Sequence, residues 1–254
     1  MRVITYALMR AKVRLAYRID FLVGALGEGL VASIGIVFLW AVFRNVPSIR
    51  GWSFHEVFFI WGMAETATGI FFVLFQGLWV LNQRYLLQGE LDRVLLRPLD
   101  PYLQVLLDNL NPEDCSVALV GAAMIAIGAP ALSSFEMAHL VVAIASGTLV
   151  LGGLLTLVSA VGFRVHHRGT AIGLVYQGAV FGRYPLDLFH HWLRLVLTWV
   201  VPFAFLAFFP ATHFLGRPEY ATLAAIQPLV GVGMMALGYG VWMRALRSYR
   251  SPGS

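Results

Sequence analysis

Charged residues are scarce in this sequence of 254 residues: Asp, Glu, Lys and Arg make up 12% of it, against about 25% in soluble globular domains. Hydrophobic residues reach 59%, with a mean hydropathy of +0.76. A water-soluble fold of this length would have too few polar side chains to cover its surface, and a lipid solvent removes the contradiction. Lysine is nearly missing, since Lys12 is the one lysine among 18 basic residues. A phosphate-binding loop of the form GxxxxGK(S/T) needs a lysine behind a glycine turn, and Lys12 sits in MRAKVRL with no such turn. ATP hydrolysis by that route is excluded. The single Cys115 excludes an intrachain disulfide. GxSxG and HExxH are absent as well, which disfavours an intramembrane enzyme. His166–His167 and His190–His191 are adjacent pairs, and helix neighbours point about 100° apart, so neither makes a bidentate metal site. No catalytic residue, metal or chain-bound cofactor is expected.

Long apolar runs are what the sequence has instead. Residues 21–43, 57–81, 115–132, 138–163 and 221–243 each approach the ~20 residues that cross a ~30 Å hydrocarbon core. Residues 1–20 differ: Ile4, Leu8, Ala11, Leu15 and Ile19 share one helical face, with Arg10, Lys12, Arg14 and Arg18 on the rest. That pattern suits a helix lying in the membrane interface, and it lacks the h-region of a cleavable signal. Between residues 164 and 212 the pattern breaks up. Residues 170–182 are apolar but short, and Arg183, Pro185, Asp187, Arg194 and Pro202 interrupt the next apolar stretch. Either residues 170–190 cross and residues 191–212 fold back from the outer face as a re-entrant hairpin, or residues 192–209 cross; the prolines favour the first.

The distribution of basic residues supports this layout. With the N-terminus in the cytoplasm, 13 of the 18 fall on the inner side, and the net charge of +5 reads as topology and lipid headgroup contact rather than nucleic-acid binding. Both termini then lie inside, which requires an even number of crossings. The expectation is an all-α integral membrane protein forming a single transmembrane domain, with six transmembrane helices.

Two features carry candidate function. On the inner loop, residues 82–114, the run Gly89, Glu90, Leu91, Asp92, Arg93, Val94, Leu95, Leu96 and Arg97 reads as a short amphipathic helix stopped by Pro98 and Pro101. Its apolar side, Leu91, Val94 and Leu95, suits a soluble partner or a lipid surface. Within the spans, Glu28 and Glu65 are carboxylates at membrane depth, which face a cavity or a packing partner. Glu28 lies in GALGEG, whose glycines also permit close helix approach.

The order of these parts resembles the ABC-2 type permease family, in its type V exporter-like build, and more narrowly its uncharacterised branch labelled DUF990. The resemblance rests on QGELDRVLLRPLDPYLQ, on YPLDLFHHWLRLVLTWVVPFAFLAFFPA and on the tail SYRSPGS, and runs over nearly the whole chain. It implies a membrane-spanning permease subunit of an ABC exporter in the bacterial inner (cytoplasmic) membrane, surrounded by membrane lipid. The partners implied are an ABC ATP-binding subunit, which would hold ATP and Mg, and a second permease as homodimer or heterodimer. Residues Gly89, Glu90, Leu91, Asp92, Arg93, Leu95 and Arg97 would be the ATPase-coupling helix. The resemblance implies a substrate path along Glu65, Phe72, Gln76 and Tyr176, and an outer gate at Tyr184, Pro185 and Pro202. Arg183 and Arg194 depart from a simple apolar plug and would attract an anionic substrate or pair with Asp187. The competing reading is a stand-alone channel or ion-gradient-driven carrier using Glu28 and Glu65.

Overall fold

The structure, a computed structural model, describes residues 18–164 and 170–249. The expected interfacial helix and the RVHHRG loop lie largely outside the described residues. Helix α1 (Arg18–Asn45) leads into a hairpin of β1 (Ser48–Ile49) and β2 (Trp52–Ser53), in which Ile49 pairs with Trp52. Arg50 and Gly51 turn it with φ of 50° and 82°, the two left-handed residues that a tight hairpin of this twist demands. Ser53 then caps α2 (Phe54–Phe75): its hydroxyl accepts from the Glu56 N–H, and the Glu56 carboxylate accepts from the Ser53 N–H.

Helix α2 ends at Phe75, short of the expected residue 81, and the chain continues as α3 (Gly77–Val80) and a π-helical stretch (Leu81–Leu87). Gly89, at φ 73°, breaks it and starts α4 (Glu90–Leu95). Next comes α5 (Pro101–Asp108), a helix within the segment expected to be loop. Pro101 stands at the start of this helix, where the missing N–H costs nothing, and Asp100 caps it by accepting from the Leu103 N–H at 2.9 Å. After the turn Pro112–Asp114 comes α6 (Cys115–Gly128), and this limb is bent 70° from α5.

Helix α7 (Ser134–Ala160) opens with a second capping box, Ser133 with Glu136. Past the undescribed loop, α8 (Thr170–Gly178) gives way to 3-10 turns at Ala179–Arg183 and Leu186–Leu188. Its nine residues reach about 14 Å, too little to cross alone. His191–Val200, which includes α9 (His191–Leu195), and Phe203–Phe214, which includes α10 (Phe208–Phe214), make a pair bent by 74° at Val201 and Pro202. Helix α11 (Ala221–Leu246) closes the bundle. Among the described residues, four helices are long and apolar enough to cross a membrane, and there are up to six candidate spans if each bent pair counts as one. The fold is an all-α integral membrane bundle.

Helix α2 is its axis. Its most apolar stretch is 78% buried, against 6% for α1, which lies on the outside with Leu22, Leu26, Leu30 and Val37 exposed. Lipid tails are as apolar as leucine, so helices in a bilayer associate by close packing and polar contacts. The α2–α6 pair uses both. A Cβ on Gly121 would run into the Thr66 backbone nitrogen, and one on Gly69 into Ala118. Helices α7 and α11 meet in the same way, Gly153 against Met234 and Gly238 against Gly153. Hydroxyls tie the layers: Thr148 donates to the Ala67 carbonyl at 3.1 Å and Ser146 to the Gln227 carbonyl at 2.9 Å.

Gly121→Leu is expected to force α6 off α2 at a cost of about 1–3 kcal/mol or more, read as a lower thermal midpoint in micelles. Gly27→Leu is the control, because nothing lies within 4 Å of that position, and its midpoint should match the parent. Equal effects of the two would remove the glycine contact from the account of packing.

Candidate functional site

Helix α4 is anchored from one side and open on the other. Leu91 and Val94 are 0% and 3% exposed, while Leu95 and Leu96 are 45% and 86% exposed. The expectation that Leu91 and Val94 offer themselves to a partner is therefore corrected: they complete this chain's own core. The burial comes from α5, whose Gln104 reaches across with its amide donating to the Val94 and Leu99 carbonyls at 3.1 and 2.9 Å. Helix α5 is itself pinned to the bundle. The Tyr102 hydroxyl lies 2.7 Å from the Thr156 hydroxyl, the Tyr102 ring lies 5.2 Å from the Trp242 ring, and Trp242 meets Phe163.

On the other flank, Arg84 of the π-helical stretch donates to Glu90 at 2.6 Å and to Asn109 at 3.1 Å. Asn109 in turn donates to the Tyr85 hydroxyl at 2.7 Å. Burial pushes that phenol above its ordinary value, so it stays neutral. Arg93, Leu95, Leu96 and Arg97 are left as the solvent-facing tip, and Arg97 also lies 3.7 Å from Asp108.

Midway along α2, Glu65 lines a cavity of about 140 Å³ with Glu28, Thr68, Phe72, Tyr176 and Arg183. Three of the four residues expected along a path, Glu65, Phe72 and Tyr176, thus meet in one place. The fourth, Gln76, caps the C-terminal end of α2 and does not line this cavity. Arg183 is the surprise. It donates to Glu65 at 2.7 Å, with both side chains largely buried, and leaves Asp187 to Arg194 at 3.4 Å. Sequence reasoning alone pairs both arginines with Asp187 or with a substrate. The ion pair joins α2 to the Ala179–Arg183 turn, and the lining rings of Phe72 and Tyr176 are packed with Trp79, ring centroids 5.1–5.4 Å apart.

A second cavity, of about 310 Å³, lies farther along α1 and is walled by apolar groups from Phe38, Leu39, Phe43, Val180, Phe181 and Phe189, among others. Tyr184, assigned to the outer gate, lines it and sits 5.7 Å from Trp61. Pro185 and Pro202 are both buried. Asp187 gathers several segments: it accepts from Trp52 Nε1 at 3.2 Å and from the Tyr220 hydroxyl at 2.7 Å, and its backbone carbonyl accepts from Arg50 and Arg194. Arg217 adds a contact to Glu56 at 2.7 Å and lies over the Trp52 ring at 4.4 Å.

Residues 30–253 match the family model described as ABC-2 family transporter protein. The chain belongs to the ABC-2 transporter family. It is a multi-pass membrane protein and the permease subunit of an ABC transporter, and an ABC ATP-binding partner goes with the family in general. No curated protein matches the chain, and no solved structure does. In this ABC-2 permease the α4 tip, the Glu65 cavity and the Asp187 cluster are strung along α2 and its two ends. No single motif announces the Glu65–Arg183 pair; the signal available in sequence is the presence of two opposite charges in apolar surroundings.

Asp187→Ala should strand the Tyr220 hydroxyl and the Trp52 N–H and remove the carboxylate beside Arg194, which keeps its bonds to the Asp187 and Phe189 carbonyls, a loss of about 3 kcal/mol. Hydrogen exchange is expected to quicken across residues 186–220 while α7 stays protected, and Asp187→Asn should recover part of the protection. Uniform exchange in all three proteins would dismiss Asp187 as the organiser of these segments.

Proposed function

We propose that this permease is the membrane-spanning half of an ATP-driven exporter in a bacterial cytoplasmic membrane. Both termini lie in the cytoplasm, and a separate ATP-binding subunit holds ATP and Mg and supplies the work. A second permease copy or a related chain completes the translocation unit, with lipid around it. The observation that carries the coupling is the two-sided character of α4: Leu91 and Val94 are buried in this chain, while Leu95 and Leu96 stay exposed. A surface helix resting loosely on lipid has no need of a locked inner face. A helix that receives a push needs both a firm root and an open tip.

The push has a material route. Helix α4 is tied by Glu90 to Arg84, and Arg84 lies in the π-helical continuation of α2 and α3. Helix α2 carries Glu65, which holds Arg183 of the outer turn. A tilt of α2 driven from the inner face thus bears on the mid-membrane cavity and on the outer hairpin together. In this reading Glu65, Phe72 and Tyr176 line the substrate path, and Tyr184, Pro185 and Pro202 belong to the outer gate. The carrier reading, with Glu28 and Glu65 as ion sites, predicts transport in vesicles free of ATP.

The test separates tip from root. Leu95→Asp and Leu96→Asp are expected to insert and fold normally and to lower, severalfold, the ATPase activity of the complex with its ATP-binding subunit. Leu91→Asp places a charge in a dry core at a cost of several kcal/mol and should instead reduce the folded yield. If the tip variants leave ATP turnover and export unchanged, or if export persists without any ATP-hydrolysing partner, the coupling assignment falls.

A further inference from the structure

The two cavities lie along one helix. Glu28, Val31, Ala32 and Gly35 of α1 wall the mid-membrane cavity, and Phe38, Leu39, Val42 and Phe43 wall the apolar one. Facing α1, residues 176–189 contribute to both, beginning with Tyr176 and ending with Phe189. They form a slot in two compartments parted by the Trp61 ring, which a Cβ on Gly35 would approach within 2.8 Å and which lies 5.7 Å from the Tyr184 ring. Because α1 is so little buried, the slot lies just inside an exposed face of this chain.

The chemistry changes along it. One end has two carboxylates, Glu28 and Glu65, the rings of Phe72 and Tyr176, and a single guanidinium. Carboxylates set against aromatic faces recognise cations, and the attraction grows where water is scarce. The other end is hydrocarbon. The guanidinium of Arg183 already occupies the position that such a site offers a cation, at 2.7 Å from Glu65. Its hold is incomplete, since the buried Arg183 Nε has no hydrogen-bond partner, and a buried pair with unsatisfied donors gains little over its desolvation cost.

We propose that the slot binds hydrophobic cations, the ligand's charge competing with Arg183 for Glu65 and Glu28 and its apolar groups displacing the Trp61 ring to reach the larger cavity. The proposal rests on the export reading above and names its substrate class. Binding would then free the Ala179–Arg183 turn from α2, which makes arrival of substrate and loosening of the outer side one event.

The probe is tetraphenylphosphonium, measured by equilibrium dialysis against the purified chain in nanodiscs, with empty nanodiscs subtracted. Tetraphenylborate, its anionic counterpart in shape, reports charge preference. The phosphonium is expected to bind saturably and the borate not. Glu28→Gln and Glu65→Gln should each weaken phosphonium binding at least tenfold, and Glu65→Gln should raise borate binding because Arg183 loses its carboxylate. Glu28 is exposed, so its variant reports even if Glu65→Gln folds poorly. Equal binding of the two ions by the parent, or indifference of phosphonium binding to Glu28→Gln, overturns the proposal. ATP-driven export of other compounds by the assembled complex without selective phosphonium binding would refute the substrate class and leave the export reading intact. Selective binding without any ATP-driven export would do the reverse.

Discussion

Two helices that touch through glycine hold this molecule together. In a bilayer the surrounding tails compete on equal terms for every leucine, so apolar surface alone gives neighbouring helices little reason to prefer each other. Close backbone approach does, because it multiplies dispersion contacts and admits polar groups from one helix to the backbone of the next. Gly62 and Gly69 on α2 and Gly121 on α6 make that approach, and α7 closes the opposite side through Thr148 and the Ala67 carbonyl. With α2 enclosed, its interior position for Glu65 becomes tolerable, because a partner can be brought to it in a region where water cannot.

Polar groups elsewhere in the bundle obey the same logic. Gln227 stands just before Pro228, inside α11, and is almost fully buried. Its amide donates to the Ala143 carbonyl at 2.8 Å and to the Phe205 carbonyl at 3.3 Å, joining α7, the broken outer pair and α11 at one point. A proline removes one backbone donor from a helix and tends to bend it; here a side-chain amide beside the proline ties the same stretch to its neighbours. The bent pair is thereby held to its neighbours just past its break at Val201 and Pro202.

Much of the architecture is legible from composition. The long spans at 21–43, 138–163 and 221–243 correspond to α1, α7 and α11, because a run of about twenty apolar residues has few other fates in lipid. The amphipathic pattern of α4 is also readable, but which of its leucines meet solvent is not. Periodicity fixes a face, whereas the neighbour that covers it, α5, hides behind Pro98 and Pro101, which read as stops although the second of them is a start. Arg183 escapes sequence reasoning for a related reason. Asp187 is nearer to it in sequence, and only the folding of residues 179–183 against α2 decides that Glu65 is nearer in space. Gln76, one turn below Phe72, falls at the end of its helix because the chain changes pitch there.

The hairpin between α1 and α2 has a bearing on how force could travel through the protein. Its turn leaves no slack: Ile49 and Trp52 are paired across it, Arg50 is bound to the Asp187 carbonyl, and Trp52 to the Asp187 carboxylate. The least buried of the four long helices is thus riveted at its C-terminal end to the turn that holds Asp187. Any tilt imposed on α1 from its exposed side would be felt first at that rivet.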